Sequence, residues 1–253
     1  MKRHIITPNG KYTYTIVPIF EGAKRIDKHQ AKENLFLFKE IMDKHKLKFL
    51  LAFGTLLGAV REHDFIDHDE DIDLIMMKSD LDKFLSLLFE FRKYGFEVIR
   101  YEPRGFLSLM RKGEYIDFYF YESYPENPAL MYCCQDIFPK ELLENTAPII
   151  FLGKEFNAPV DYKKMMEISY GKDWTTPVEK FDFKISKHER FIQWLKQYIK
   201  AILPVSFVER RQRKADKPFL TKYIKRIQQL SRQYASHHIS SRNGQTPWRI
   251  HQK

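Results

Sequence analysis

The sequence predicts an α/β or α+β domain built around a mixed sheet. Apolar runs of strand length alternate with amphipathic helical patterns in the first hundred residues, and consecutive strand patterns follow them. The order strand, helix, strand, helix, strands is typical of a sheet with mixed strand directions and flanking helices.

The first half of the chain supplies the elements in this order. Residues 12–20 alternate enough to predict a peripheral strand, and residues 27–45 predict a helix with Asp27 as its N-cap. The apolar run 46–53 predicts a buried strand, and a turn with a short helix is expected at 54–62.

The second half begins with further strands and ends with helices. Residues 71–77 predict a strand, and residues 79–94 predict an amphipathic helix with Ser79 as its cap. Three more strands are expected at 96–102, 106–112 and 114–122. After Pro125 the chain is expected to be irregular, before two helices at roughly 187–203 and 217–234.

Composition points to a reduced, cytosolic protein. The chain has 253 residues, of which 43% are hydrophobic, so it can bury a full core. No apolar run approaches the eighteen or so residues that span a bilayer, and the basic N-terminus lacks the apolar segment of a secretory signal. Cys133 and Cys134 are adjacent and are not expected to form a disulfide.

The net charge of +10 is unevenly distributed. Residues 187–253 contain 16 Lys and Arg against 3 Asp and Glu, a net charge of +13. Residues 1–186 contain the remaining 27 against 30, a net charge of −3. We therefore predict a catalytic domain at 1–186 and a basic helical extension at 187–253, whose charge reports on partners rather than on fold.

The segment "DHDEDID", residues 67–73, places five carboxylates in seven positions. An EF-hand calcium loop is rejected, because Ile72 stands where a glycine must turn and Lys78 stands where a bidentate glutamate is required. A solvated acidic loop remains the simplest alternative. Against it, Asp71 and Asp73 alternate with apolar residues, so both carboxylates lie on one strand face, about 6–7 Å apart at Cα.

Carboxylates arranged in this way suit Mg²⁺ or Mn²⁺, which bind carboxylates together with substrate phosphates. Gly54 and Thr55 precede them at a strand-to-helix turn, where the backbone can approach an anion. Asp117, the acid within the run "YIDFYFY", is the candidate third carboxylate, although a hydrogen-bonded edge residue is the alternative. A divalent-metal site for phosphate chemistry is therefore predicted from Asp71, Asp73 and Asp117.

Three stretches together resemble the LicD family, which includes fukutin and the fukutin-related protein. They are "FGTLLGAVREHDFIDHDEDIDL", "YIDFYFYE" and "FLGKEFNAPVDYKKMMEISYGKDWTTP", and the resemblance covers roughly residues 27–180. It implies a nucleotidyltransferase-like fold. It also implies transfer of a phospho-alcohol, with phosphocholine as the first expectation, from a CDP-linked donor to a sugar hydroxyl of a surface glycan, such as lipopolysaccharide, capsule or teichoic acid, with release of CMP.

The resemblance also implies roles for individual residues. By their positions in the motif, Gly54 and Thr55 match the phosphate-contacting turn, Arg61 matches the arginine after Gly-Ala, and the acidic triplet corresponds to Asp69, Asp71 and Asp73. Asp117 would be the third metal ligand or the base for the sugar hydroxyl. His68 could polarise a hydroxyl or be a solvated loop residue. The chain departs from the family at Asp67-His68, where Pro-Trp is common, and at Tyr119-Phe120, where Phe-Pro is common.

The expected partners follow from this assignment. They are a CDP-linked alcohol donor and a glycan acceptor that is lipid-linked at the cytosolic membrane face. The apolar stripes of both C-terminal helices can pack on the catalytic domain, and this is the expectation for the first helix. For the basic second helix the alternative, which we expect, is that it brings 204–253 onto an anionic membrane. The predicted location is cytoplasmic and peripheral at the inner face of the membrane.

Two alternative functions stay open. The first is a nucleotidyltransferase that acts on RNA or a small molecule, and the second is a non-catalytic glycan- or nucleotide-binding module. A nucleic-acid partner is not expected.

Overall fold

The computed structural model describes residues 1–20, 22–177 and 185–242, with side chains up to residue 233. Its strands are β1 (Lys2–Thr7), β2 (Gly10–Thr15), β3 (Leu50–Leu51), β4 (Ile72–Met77), β5 (Glu97–Glu102), β6 (Phe106–Arg111), β7 (Glu114–Tyr124), β8 (Asn127–Cys133), β9 (Asp136–Pro139), β10 (Thr146–Phe151) and β11 (Lys154–Pro159). Its α-helices are α1 (Lys28–Lys44), α2 (Phe53–Arg61), α3 (Leu81–Ser86), α4 (Leu88–Lys93), α5 (Lys140–Glu144), α6 (Tyr162–Ser169), α7 (Lys187–Ile202) and α8 (Val205–Arg242).

The central sheet is mixed, as predicted. Its strands follow the order β3-β4-β7-β6-β5, and β8 and β9 extend it from the far end of β7. β4 and β7 are parallel, whereas the other neighbours in the sheet are antiparallel. Two separate hairpins, β1-β2 and β10-β11, complete the β-structure of the described residues.

The core lies between α1 and the sheet. α1 begins at the predicted N-cap, where the Asp27 carboxylate accepts a hydrogen bond from the Gln30 N–H at 3.1 Å. Phe38 from this helix meets Phe118 of β7, with ring centroids 5.0 Å apart, and Phe84 meets the same ring at 4.9 Å. These aromatic contacts fix the helix over the centre of the sheet.

Two predicted elements are shorter than expected. The strand predicted at 46–53 is reduced to β3, because Phe53 already belongs to α2 and the Ala52 N–H bonds to the Asp73 carbonyl. The helix predicted at 79–94 is split into α3 and α4 at Leu87, and Ser79 lies within a preceding 3₁₀ turn instead of capping the helix.

The prediction of irregular structure after Pro125 is wrong. This region folds into β8 to β11 with α5 and α6 between and after them. Both hairpins turn within two residues, and at the second one Leu152 and Gly153 have φ values of 53° and 86°, the left-handed conformations of a type I′ turn. The dipeptide Leu152-Gly153 is a weak turn signal. For this reason the sequence did not predict two strands joined by a turn at this position.

The two C-terminal helices pack differently from the prediction. α8 is continuous through the segment expected to join two helices, and it buries Leu220, Ile227 and Leu230 in the core. At these three positions the apolar stripe of α8 faces the protein, whereas Phe219 of the same predicted stripe is exposed. α7 leaves its own apolar stripe exposed, so the expectation that it packs on the domain is also wrong. The division at 186/187 stays a prediction.

Polar contacts anchor α8 beside the sheet. Arg104 forms ion pairs with Glu102, at 2.7 Å, and with the buried Asp216 of α8. The Arg226 guanidinium donates to the Ser169 carbonyl at 3.0 Å, and Tyr223 hydrogen-bonds Asp136 of β9. Among the helices of the described residues, none has the length and apolarity needed to cross a bilayer.

Asp136→Asn is expected to stabilise the protein at neutral pH. Burial raises the pKa of Asp136 from 3.8 to about 6, so its charge is unfavourable in the folded state. The contribution of the wild-type Asp136 carboxyl to the free energy of unfolding is therefore most favourable below pH 4. It is lost as pH rises through 6, at a cost of about 3 kcal/mol. Urea denaturation should show Asp136→Asn more stable than wild type at pH 7.5 and equal to it near pH 4; an identical gain at both pH values would contradict this origin.

Candidate active site

A row of polar side chains crosses the sheet on four adjacent strands. Asp73 of β4 is in register with Asp117 of β7, Asp117 with Ser108 of β6, and Ser108 with Arg100 of β5. Residues in register on neighbouring strands present their side chains to the same face of the sheet. The sequence-predicted carboxylates at 73 and 117 are therefore brought together.

Hydrogen bonds link the far half of the row. Arg100 Nη2 donates to Asp117 Oδ2 at 2.7 Å, and Arg100 Nε donates to Ser108 Oγ at 3.0 Å. The guanidinium also lies 4.3 Å from the ring centroid of Phe106, which holds its plane in place. Arg100 therefore supplies one fixed positive charge to the carboxylate cluster.

The start of α2 holds the near half of the row. The Gly54 N–H donates to Asp73 Oδ2 at 3.2 Å, and the fully buried Thr55 hydroxyl accepts a hydrogen bond from the Asp73 N–H at 2.9 Å. A Cβ on Gly54 would collide with Oδ2 of Asp69, so glycine is required where α2 and the acidic loop meet. Thr55 thus positions β4, whereas the sequence had suggested a direct phosphate contact.

The acidic run is tolerated because its carboxylates point in different directions. Asp67 is 83% exposed and forms an ion pair with Lys28 at 2.6 Å. Glu70 accepts a hydrogen bond from the Gly22 N–H at 2.5 Å. Asp69, Asp71 and Asp73 interact with one another inside the site, so the crowding is concentrated in these three groups.

The clustered carboxylates are held in an unfavourable state when charged. Burial raises the pKa of Asp69 to about 6. Burial, and then the charge of neighbouring carboxylates, raises the pKa values of Asp71 and Asp73 well above 3.8. Burial also raises the pKa of Asp117, which Arg100 opposes. A group of buried acids with raised pKa values is typical of a site that receives a cation.

The donor set fits a hard divalent cation. Asp69 Oδ2 and Asp117 Oδ1 are buried with no hydrogen-bond partner among the described residues. In that same part of the chain, no three Asp, Glu, His or Cys side chains form a ready-made metal cage. Mg²⁺ does not need such a cage, because it takes one or two carboxylates and completes its shell with water and substrate phosphates.

Two other residues predicted for the site have different surroundings. The Arg61 guanidinium contacts Glu62 at 2.7 Å and the Trp174 carbonyl at 3.2 Å, so it ties α2 to the segment after α6. His68 is half-buried in the acidic loop near Asp67. The structure therefore brings the carboxylates and the glycine turn together. Arg61 lies beside them and holds α2 to the segment after α6.

Sequence reasoning missed several members of the site. Arg100 and Ser108 were hidden within strands, and their proximity to Asp117 depends on register. Tyr119 hydrogen-bonds Asp73. Burial, and then the charges of Asp73 and Asp69, raises the pKa of Tyr170, which lies just after α6. Arg100 is the one basic residue of β5 and lies between Ile99 and Tyr101, which was the available signal.

Thr55→Val is expected to destabilise the protein while Thr55→Ser does not. Valine removes the hydroxyl that accepts from the buried Asp73 N–H, which leaves that donor unsatisfied at a cost of about 1–3 kcal/mol. Serine keeps the acceptor. Chemical denaturation of the three proteins measures the difference; equal stability of Thr55→Val and Thr55→Ser would show that this hydrogen bond does not hold β4.

A mixed sheet that carries aligned carboxylates beside a glycine turn at a helix start defines a protein of the nucleotidyltransferase-like class. Residues 46–161 match the family described as LicD/FKTN/FKRP, nucleotidyltransferase domain. The resemblance to this family recognised in the sequence is therefore confirmed over residues 46–161.

Relatives of known name share parts of this domain. The chain is 34% identical over 53 residues to the lipopolysaccharide cholinephosphotransferase LicD of Haemophilus influenzae, covering 21% of this chain and 20% of that protein. It is 28% identical over 174 residues to the human ribitol-5-phosphate transferase FKTN, covering 62% of this chain and 35% of that protein. An uncharacterised protein of Rickettsia typhi is 36% identical over 59 residues, 23% of this chain and 19% of its own length. The matched regions thus span about a fifth to a third of these relatives.

Solved structures give distant similarities. The lincosamide antibiotic adenylyltransferase LnuA, with lincomycin bound, aligns at 9% identity with a TM-score of 0.39, covering 69% of this chain and 94% of that chain. The antibiotic-resistance factor ANT(2'')-Ia aligns at 14% identity with a TM-score of 0.40, covering 82% of this chain and 99% of that chain.

Proposed function

We propose that the protein transfers a phospho-alcohol from a CDP-linked donor to a sugar hydroxyl of a surface glycan, with release of CMP. The observation that carries this proposal is the in-register pair Asp73 and Asp117, with unpartnered carboxylate oxygens beside the Gly54 turn, within the region that matches the LicD/FKTN/FKRP family. Phosphoryl transfer asks the protein chiefly to position its substrates and to balance negative charge, and this cluster is built for both.

In the proposed reaction, the acceptor oxygen forms a bond to the phosphorus that carries the alcohol, and the bond from that phosphorus to the CMP oxygen breaks. The hydroxyl proton passes to a carboxylate of the cluster, and CMP leaves with the electron pair of the broken bond. Asp71, Asp73 and Asp117 would hold Mg²⁺ or Mn²⁺, which would neutralise donor phosphate charge. Arg100 keeps Asp117 oriented, and the start of α2 keeps Asp73 in place.

Phosphocholine is the first candidate for the transferred group. The name of the Haemophilus relative supports a choline phosphate, whereas the name of the human relative supports ribitol phosphate. Both are phosphodiester-linked alcohols that differ in charge: choline carries a quaternary ammonium group and ribitol is neutral. The proposed acceptor is a glycan hydroxyl, as in lipopolysaccharide, capsule or teichoic acid.

The test is incubation of the purified protein with CDP-choline, CDP-ribitol or CTP, with Mg²⁺ and a glycan acceptor, followed by chromatography of the nucleotides. The proposal expects CMP from one CDP-alcohol, together with a new phosphodiester on the acceptor by mass spectrometry, and loss of both with a chelator. Pyrophosphate release from CTP would instead make the protein a nucleotidyltransferase. Binding of CDP-alcohols without turnover on any acceptor would support a non-catalytic module.

A further inference from the structure

The polar face of helix α7 contacts the rest of the protein, and its apolar face is exposed to solvent. Gln197 holds the backbone of Ile19 with two hydrogen bonds, from the Ile19 N–H at 3.0 Å and to the Ile19 carbonyl at 2.6 Å. Arg3 donates to carbonyls at the end of α7, including that of Leu203 at 3.0 Å. These contacts fix the rotation of the helix, so the exposure of its apolar face is a consequence of specific polar anchoring.

The inward face of α7 borders a cavity of about 570 Å³. Gln193, Lys196 and Lys200 line it from the helix, and Arg100, the end of the polar row, lines it from the sheet. The helix therefore covers a cavity of mixed polar and apolar lining, which Arg100 borders at the end of the polar row.

The outward face is a continuous apolar stripe. The members of this α7 stripe are Phe191, Trp194, Leu195, Tyr198, Ile199 and Ile202, and each is between 38% and 57% exposed. The rings of Phe191, Trp194 and Tyr198 stack along the helix, with successive centroids 6.0 and 5.3 Å apart. Val205 and Phe207 continue the exposed surface into the start of α8.

This concentration of exposed apolar side chains is local. Of the sixteen large hydrophobic residues that are exposed in the described chain, eight lie between 191 and 207. Single exposed hydrophobic residues need no explanation, but a contiguous patch of this kind marks a surface that something covers. The stripe follows the spacing i, i+3, i+4, i+7, i+8, i+11, which is that of a helix lying on one flat partner.

The charge around the stripe identifies the partner. Apart from Lys196 and Lys200, which line the cavity on the inward face, residues 187–214 contain six Lys and Arg against two Glu. Of these six, Lys187, Arg190, Arg210, Arg211 and Lys214 are exposed. Trp and Tyr prefer the interface between water and hydrocarbon, and a basic amphipathic helix binds anionic lipid headgroups while its apolar face enters the acyl boundary. We propose that the outward face of α7 docks on an anionic membrane surface.

This proposal places the membrane contact on α7 and not on α8. It stands apart from the proposed transfer reaction, since it rests on the exposed stripe and its charges alone. It has one structural consequence for that reaction: the docked helix lies over the cavity that Arg100 lines, so the polar row would end on the side of the molecule nearest the lipid.

The experiment is flotation of the full-length protein with vesicles of phosphatidylcholine and phosphatidylglycerol, compared with phosphatidylcholine alone. The test variant is Trp194→Glu combined with Tyr198→Glu, and the matched control is Phe219→Glu, which changes a similarly exposed aromatic residue on α8. Circular dichroism and thermal unfolding confirm that each variant is folded. Quenching of tryptophan fluorescence by brominated lipid, with Trp194→Phe as a conservative variant, reports whether this ring enters the bilayer.

The expected result is flotation with anionic vesicles at low salt, release near 0.5 M salt, and at least a tenfold lower bound fraction for the double variant but not for Phe219→Glu. Lipid quenching should fall in Trp194→Phe although binding persists. No flotation with anionic vesicles overturns the proposal. Equal loss in Phe219→Glu, or a dimer that the α7 substitutions dissociate in the absence of vesicle binding, also overturns it, since another surface or a second copy would then be the partner.

Discussion

Asp73→Asn is expected to lower turnover on the order of a thousandfold or more while the protein stays folded. Asp73 is 7% exposed, lies in register with Asp117 and receives the Gly54 N–H, so its charge sits at the centre of the proposed metal and phosphate site. Asparagine keeps an oxygen for the Gly54 hydrogen bond but loses the negative charge. Asp71→Asn is expected to behave in the same way. Steady-state CMP release with saturating Mg²⁺ measures the effect.

The same substitution should make the protein more stable. Burial and neighbouring carboxylates raise the pKa of Asp73, so the charged form is unfavourable in the folded state. Each pKa unit corresponds to about 1.4 kcal/mol, and removing the charge relieves part of this cost.

The acidic run itself provides the control. Asp67 is exposed and paired with Lys28, so Asp67→Asn should leave turnover within about twofold and stability nearly unchanged. If Asp73→Asn kept near-normal turnover, or if Asp67→Asn were equally inactive, the assignment of the inner carboxylates would be wrong.

The sheet was predictable because its strands are apolar and bounded by turns. β4, β5, β6 and β7 lie close to the predicted ranges, and α1 begins at its predicted cap. The hairpins after Pro125 were not predictable, because β8 to β11 are short and turn at residues such as Leu152 and Cys134, which take positive φ without an Asn-Gly signal. Their conformation is set by pairing with neighbouring strands, which a local pattern does not contain.

The candidate site was predictable where its residues alternate along one strand. Strand periodicity predicts Asp71 and Asp73 on one face, and their charges interact in the folded structure. Asp117 was visible as an acid in an apolar run. Arg100 and Ser108 join the site through the antiparallel register of β5, β6 and β7, which one sequence does not define. For the same reason, Thr55 was predicted to contact a phosphate, and its hydrogen bond with the Asp73 N–H was not predicted.

The packing of α7 and α8 was predicted in reverse because both helices carry similar apolar stripes. Stripe hydrophobicity alone does not say which helix docks on the domain. Polar contacts decide between the two helices. Asp216 forms an ion pair with Arg104, and Tyr223 hydrogen-bonds Asp136, so α8 packs against the edge of the sheet. α7 is held by Arg3 and Gln197 through its polar side.

Leu220→Asp is therefore expected to destabilise the protein by about 4 kcal/mol or more, a large part of the stability of an ordinary domain. Leu220 is 7% exposed and belongs to the core, so aspartate would lose its apolar contacts and bury a charge. Its neighbour Phe219 is 48% exposed. Phe219→Asp introduces aspartate at this exposed position of the same helix, and it should lower the free energy of unfolding by about 1 kcal/mol or less. Urea denaturation measures the free energy of unfolding of the two variants. Because both introduce aspartate into α8, the difference between them reports the burial of the replaced side chain and not helix propensity. Equal losses would mean that α8 does not pack through this face, and the membrane surface would then have to be sought on α8 as well as on α7.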